Sequence, residues 1–165
     1  MQFETDFPFV DALQGVPRTS LVPLVARAQA GASYPALDPQ DRCAKDLLTA
    51  LGAQAHISAQ EAATLVNVLW RTSHIKQLGQ AFFVRHPECS GLNLGAGLAH
   101  YFQWLPNGKN AWVDVDLKPV IELRQSFIPQ ANGACNNQVI DITHPGWWKR
   151  LNLSGHHRQP VFVVC

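Results

Sequence analysis

Leu92-Asn93-Leu94-Gly95-Ala96-Gly97-Leu98, followed by Asp114-Val115-Asp116-Leu117, decides the fold of this chain. A short apolar run ends at Gly95 and Gly97, and a second ends at Asp114 and Asp116. In a strand–turn–helix–strand unit these residues build a nucleoside cradle. Glycine has no Cβ, so a ligand can lie against bare backbone. An acidic side chain at the tip of the next strand accepts hydrogen bonds from two ribose hydroxyls, at an interval of about 20 residues that Asp116 meets. The Gly-x-Gly half alone also fits an ordinary tight strand-to-helix turn, and the acidic half makes the pattern more specific.

The third glycine of a dinucleotide fingerprint is absent, and His100 stands in its place. A pyrophosphate needs close backbone approach at a helix start. The pattern therefore favours a cofactor with a nucleoside and no pyrophosphate over a nicotinamide dinucleotide. S-adenosylmethionine is the common one.

Outward from the cradle, apolar runs at 90–94, 111–116, 137–142 and 160–165 alternate with helical stretches at 98–105, 118–127 and 145–153. That rhythm predicts a parallel sheet with crossover helices. The first half of the chain is helical in pattern. Residues 1–18, with Pro8 and Pro17, read as an irregular arm. A helix starts near Ser20, with Pro23 in its first turn. A second opens at Asp38-Pro39, capped by Asp38, and ends at Gly52. Ser58 to Glu61 reads as a capping box for a third. That helix runs toward Arg85, with a break near Thr72-Ser73.

The 165 residues fit one domain, with a helical N-terminal region at 1–88 and the first half of a Rossmann-like sheet at 89–165. The 47% hydrophobic content is enough for a core, while the 15% charged fraction lies below the globular average of about 25%. Such a fraction points to apolar surface that meets a partner, or to an incomplete chain. A net charge of +1 leaves no basic footprint for nucleic acid. Cys43, Cys89, Cys135 and Cys165 lack CxxC spacing and read as buried reduced thiols of a cytoplasmic protein. No His/Cys set has metal-ligand spacing, so no metal is expected. Trp104, Trp112, Trp147 and Trp148 read as core or helix–sheet packing. The N-terminus lacks the pattern of a signal peptide, and no apolar run reaches the ~18 residues of a membrane span. The last run, Pro160 to Cys165, is still apolar where the chain stops. A truncated domain is expected from it, with self-association through the C-terminal strand.

These residues resemble the leucine carboxyl methyltransferase family of S-adenosylmethionine-dependent O-methyltransferases. That family includes the protein phosphatase methyltransferases and bacterial enzymes linked to polyketide O-methylation. Thr19 to Asp38 is similar to the family's N-terminal segment, with its ARA element before a DP pair. Asn93 to Leu98 matches its NLGAG motif, and Trp112 to Arg124 resembles its E-V-D-x-P-x-V segment. Val139 to Ile142 is like its third-strand D-L element, and Pro160 to Cys165 resembles the strand before its E-G/C-V-L-x-Y motif. Ala99-His100-Tyr101 departs from the G-x-D-T-R continuation, and Pro119 is displaced by one from the family proline.

The resemblance implies a class I methyltransferase sheet, its first four strands parallel, behind an N-terminal helical region. It implies that Arg71 holds the methionine carboxylate of the cofactor, a task suited to a bidentate guanidinium. Gly95, Ala96 and Gly97 would line the cofactor, with Leu117 beside them. Asp116 would take the ribose hydroxyls, with Asp114 as the alternative or else a solvated strand-end carboxylate. Asp141 would approach the adenine amino group, with Ile142 as an apolar wall, unless Asp141 serves a helix cap. The acceptor would be a carboxylate or hydroxyl of a small molecule or protein. A carboxylate needs no base, whereas a phenol does, and His100 is the candidate. No catalytic residue is assigned. The rival readings are a nicotinamide-dependent oxidoreductase domain and a non-catalytic cofactor-binding or interaction module of the same fold.

Overall fold

The structure is a computed structural model that describes residues 5–6, 20–52, 54–55, 62–128, 133–153 and 159–165. The chain divides into two compact units, Met1–His74 and Ile75–Cys165. The boundary falls inside a continuous helix, whereas the sequence changes character after that helix.

In the first unit, β1 (Thr5–Asp6) pairs antiparallel with β2 (Gln54–Ala55). The arm is therefore regular at those two residues, and the rest of 1–18 lies outside the described residues. Helix α1 (Leu21–Ser33) buries Leu24, Ala26 and Ala30. The last two pack with Leu65, Val68 and Leu69 of α3 (Ala62–Arg85). Helix α2 (Arg42–Ala50) starts later than Asp38-Pro39 predicts. Its cap is Asp41, whose Oδ1 accepts from the Ala44 N–H at 2.8 Å. Gln40, between the two aspartates, has φ 58°, which breaks the helical path. Asp38 instead accepts from the Gln40 N–H at 2.8 Å. Gly52 ends α2 as expected, with φ 63°. The Ser58–Glu61 box lies outside the described residues. No break occurs at Thr72-Ser73: α3 runs unbroken through them, and the buried Thr72 hydroxyl is satisfied by the Val68 carbonyl one turn back, at 2.8 Å.

In the second unit, β3 (Ser90–Leu94), β4 (Ala111–Asp116), β5 (Cys135–Val139) and β6 (Val161–Val164) form a four-stranded, all-parallel sheet. The order is β5–β4–β3–β6. The chain steps outward from β3 to β5 and then returns to the other side of β3. This is a mixed α/β arrangement compatible with a Rossmann-like fold, with the switch in strand order beside β3. Ligands of open α/β sheets bind beyond the carboxyl ends of the strands at such a switch.

Side chains alternate between the sheet faces. Trp112 faces a core with Phe83, Tyr101, Phe102 and Leu105. Val113 and Val115 face the other way, with Leu92, Ile140 and the partly buried Trp147. Gly91 lies opposite Trp112 in the β3–β4 register, and a Cβ there would run into the indole ring. Helix α4 (Lys118–Phe127) has the expected bounds. The predicted helix at 98–105 is only a 3₁₀ turn, Tyr101–Trp104, and the one at 145–153 is a 3₁₀ turn, Trp147–Arg150. The third strand sits earlier than predicted, because the chain turns away at Asp141, whose carboxylate accepts from the Thr143 N–H. Trp148 and Cys165 are exposed and Cys43 is half-buried, against the expectation of burial. Among the described residues no helix is long and apolar enough to cross a membrane.

Candidate functional site

The turn after β3 and the end of β4 meet at the carboxyl edge of the sheet. Gly95 and Gly97 have φ 63° and 52°, a left-handed backbone that glycine adopts without Cβ strain. A Cβ on Gly95 would meet nothing within 4 Å, so the space above the turn is open. The buried Ala96 donates its N–H to the Val115 carbonyl at 3.0 Å. The Gly97 N–H donates to Asp116 Oδ2 at 2.7 Å, and the Leu117 N–H donates to Asp116 Oδ1 at 2.7 Å. The half-buried Asp116 carboxylate thus sits on the glycine turn. Each of its oxygens has a second lone pair for a further donor.

The end of β5 lies alongside, tied by the Ile140 N–H to the Asp116 carbonyl at 3.0 Å. Leu117, Val139 and Ile142 are exposed apolar side chains at this edge. Asp141 is exposed and shapes the turn that follows. Its Oδ1 accepts from the Thr143 N–H at 2.9 Å and the Thr143 hydroxyl at 2.6 Å. Those two bonds hold its carboxyl below the usual carboxylate range. Gly95, Ala96, Gly97, Asp116, Leu117, Asp141 and Ile142 therefore all belong to the turns and strand ends on one edge of the second unit. Arg71 belongs to the first unit, where it is exposed on α3.

Asp114 is neither a ribose acceptor at the rim nor a solvated carboxylate. It is fully buried. Its Oδ1 accepts from Asn93 Nδ2 at 2.8 Å and from the Trp112 indole N–H at 3.0 Å. Its Oδ2 accepts from Arg124 Nη2 at 2.5 Å. His100 is buried too, with Nδ1 4.0 Å from Asp114 Oδ2, and so points into this interior and not toward the open edge. Cys135 Sγ lies 3.7 Å from the same oxygen. Burial, reinforced by the Asp114 charge, pushes its thiol from 9.0 up to about 12.

His100, Asp114 and Cys135 bring three ligand atoms within 4.8 Å of one another, a cluster that sequence spacing missed because it draws on three elements. The donor set does not fit a cation. An ion there would face the Arg124 guanidinium, which already occupies Asp114 Oδ2. Sequence reasoning also gave no role to Arg124. The available signal was an aspartate inside an otherwise buried strand, which demands a cationic or hydrogen-bonding partner.

Neither a protein-family model nor a curated protein matches this chain.

Proposed function

We propose that the chain binds S-adenosylmethionine or its product S-adenosylhomocysteine at the 95–97 turn, as an O-methyltransferase of the leucine carboxyl methyltransferase kind. The observation that carries this reading is the bond from the Gly97 N–H to Asp116 Oδ2 at 2.7 Å. It joins a left-handed glycine turn to a strand-end carboxylate at the switch in strand order. Asp116 accepts the ribose hydroxyls, Leu117 and Ile142 flank the base, and Asp141 accepts from the adenine amino group. Arg71 is kept for the methionine carboxylate on the resemblance alone. When bound, the cofactor supplies a methyl group on a sulfonium for in-line displacement, and the chain supplies alignment and exclusion of water.

Two further observations narrow the proposal. Only a 3₁₀ turn follows the glycines, and a pyrophosphate calls for the N-terminus of a helix at that place. This favours S-adenosylmethionine over a nicotinamide dinucleotide. Burial of His100 removes the candidate base from the open edge. This favours a carboxylate acceptor, which needs no base, over a phenol. The same burial also favours the rival reading of a non-catalytic module that binds the cofactor.

A thermal-shift comparison tests the cofactor. S-adenosylhomocysteine is expected to raise the melting temperature while NAD does not. A shift with NAD alone overturns the proposal. Methyl-transfer assays on carboxylate acceptors then separate the enzyme from the binding module.

A further inference from the structure

We propose that Arg124 is the positioning residue of this cradle, a buried guanidinium that sets the shape of the turn without touching a ligand. The inference rests on reading the 95–97 turn as a cofactor cradle, and adds what holds that turn in place.

Arg124 stands in the last turn of α4 and is 1% exposed. A guanidinium removed from water is costly unless it is paired and hydrogen-bonded. Here its donors run in two directions. Nη2 donates to Asp114 Oδ2 at 2.5 Å, and Nε to Asn137 Oδ1 at 3.0 Å. Those two acceptors belong to β4 and β5, in the rigid sheet. Nη1 donates to the Gly97 carbonyl at 2.9 Å and to the Ala99 carbonyl at 2.6 Å. Those two belong to the turn. One planar fork therefore anchors the turn to two strands, a geometry that a lysine ammonium, as a point charge, does not reproduce.

The turn is gripped from both sides. Its Gly97 N–H ends on Asp116 and its carbonyls end on Arg124. A carbonyl held by Arg124 is drawn away from the role of helix acceptor. This accounts for the 3₁₀ turn where periodicity predicts an α-helix. A site is precise to the extent that supporting residues lock it, and Arg124 with Asp114 and Asn137 forms that support.

Amide hydrogen exchange of the ligand-free protein tests the proposal, with S-adenosylhomocysteine affinity as the second reading. Arg124→Lys removes the fork. Asn137→Ala removes one anchor, keeps the Asp114 pair, and carries both measurements if Arg124→Lys does not fold. Exchange at the Ala96, Gly97 and Ala99 amides is expected to quicken by roughly tenfold in Arg124→Lys, the equivalent of one lost hydrogen bond to a charged group. The effect is smaller in Asn137→Ala. The Val113 and Val115 amides stay as in the wild type, and affinity falls in step with the turn. Unchanged turn amides overturn the proposal, as does faster exchange spread equally over β3 and β4. A wild type that does not bind S-adenosylhomocysteine refutes the cofactor reading instead, and the exchange measurement still decides the positioning role.

Discussion

Asp114 and Asp116 stand two residues apart on β4 and do opposite things. Period-two alternation puts them on the same face of the strand. Asp114 lies one step inside and is sealed with Arg124, while Asp116 lies at the rim with oxygen lone pairs to spare. Asp114→Ala leaves a guanidinium without its carboxylate in the interior, so unfolding free energy is expected to fall by about 3–5 kcal/mol. Asp116→Ala should change stability far less, and equal losses in urea unfolding would erase the distinction. Cys135 gives a pH signature. Its thiol is raised from 9.0 to about 12 in the folded state, so between those values the unfolded chain releases a proton that the folded chain keeps. The Cys135 contribution is therefore intact below about pH 9 and is lost upward through the window, by roughly 1.4 kcal/mol per pH unit. Wild type and Cys135→Ala compared by urea unfolding should diverge in slope there. Parallel slopes would place the thiol in a more solvated site.

At the scale of elements, Asp41 does two jobs for α2. One carboxylate oxygen caps the helix at Ala44, and the other pairs with the buried Arg27 Nε at 2.8 Å. Asp41→Ala removes both, and a loss of about 3–5 kcal/mol is expected from the broken buried pair. A change in thermal unfolding within ~1 kcal/mol, the value of a cap alone, would show that the pair contributes nothing. The bounds of α4 and of strands β3 and β4 were legible because local signals agree there. An early proline, a periodic apolar face and short apolar runs all point one way. The 98–105 helix was not legible as a turn, because the Ala99 carbonyl is held by Arg124, a partner 25 residues away in sequence. The α2 cap moved from Asp38 to Asp41 because Gln40 adopts a left-handed backbone, which its residue type does not announce. The glycine turn and Asp116 were legible by spacing, whereas the Asp114–Arg124 partnership needed the fold to bring them together.

At the scale of the molecule, the strand order places β6 at one edge of the sheet and β5 at the other. Val161 and Val163 of β6 are exposed, and the strand carries no charge. Such an edge is a template for pairing. The 165-residue chain is therefore expected to self-associate in sedimentation, and Val163→Lys to reduce that association. An unchanged distribution would show that β6 is not the contact. The same order puts the switch beside β3, with the glycine turn after β3 and Asp116 at the end of the neighbouring β4. Calorimetric titration of S-adenosylhomocysteine into wild type and Asp116→Ala tests that placement most directly. The wild type is expected to bind. Asp116→Ala is expected to bind at least about tenfold more weakly, from the loss of hydrogen bonds to a charged acceptor, while it stays folded at the titration temperature. Equal affinity in both proteins, or no binding by the wild type, would contradict the cradle.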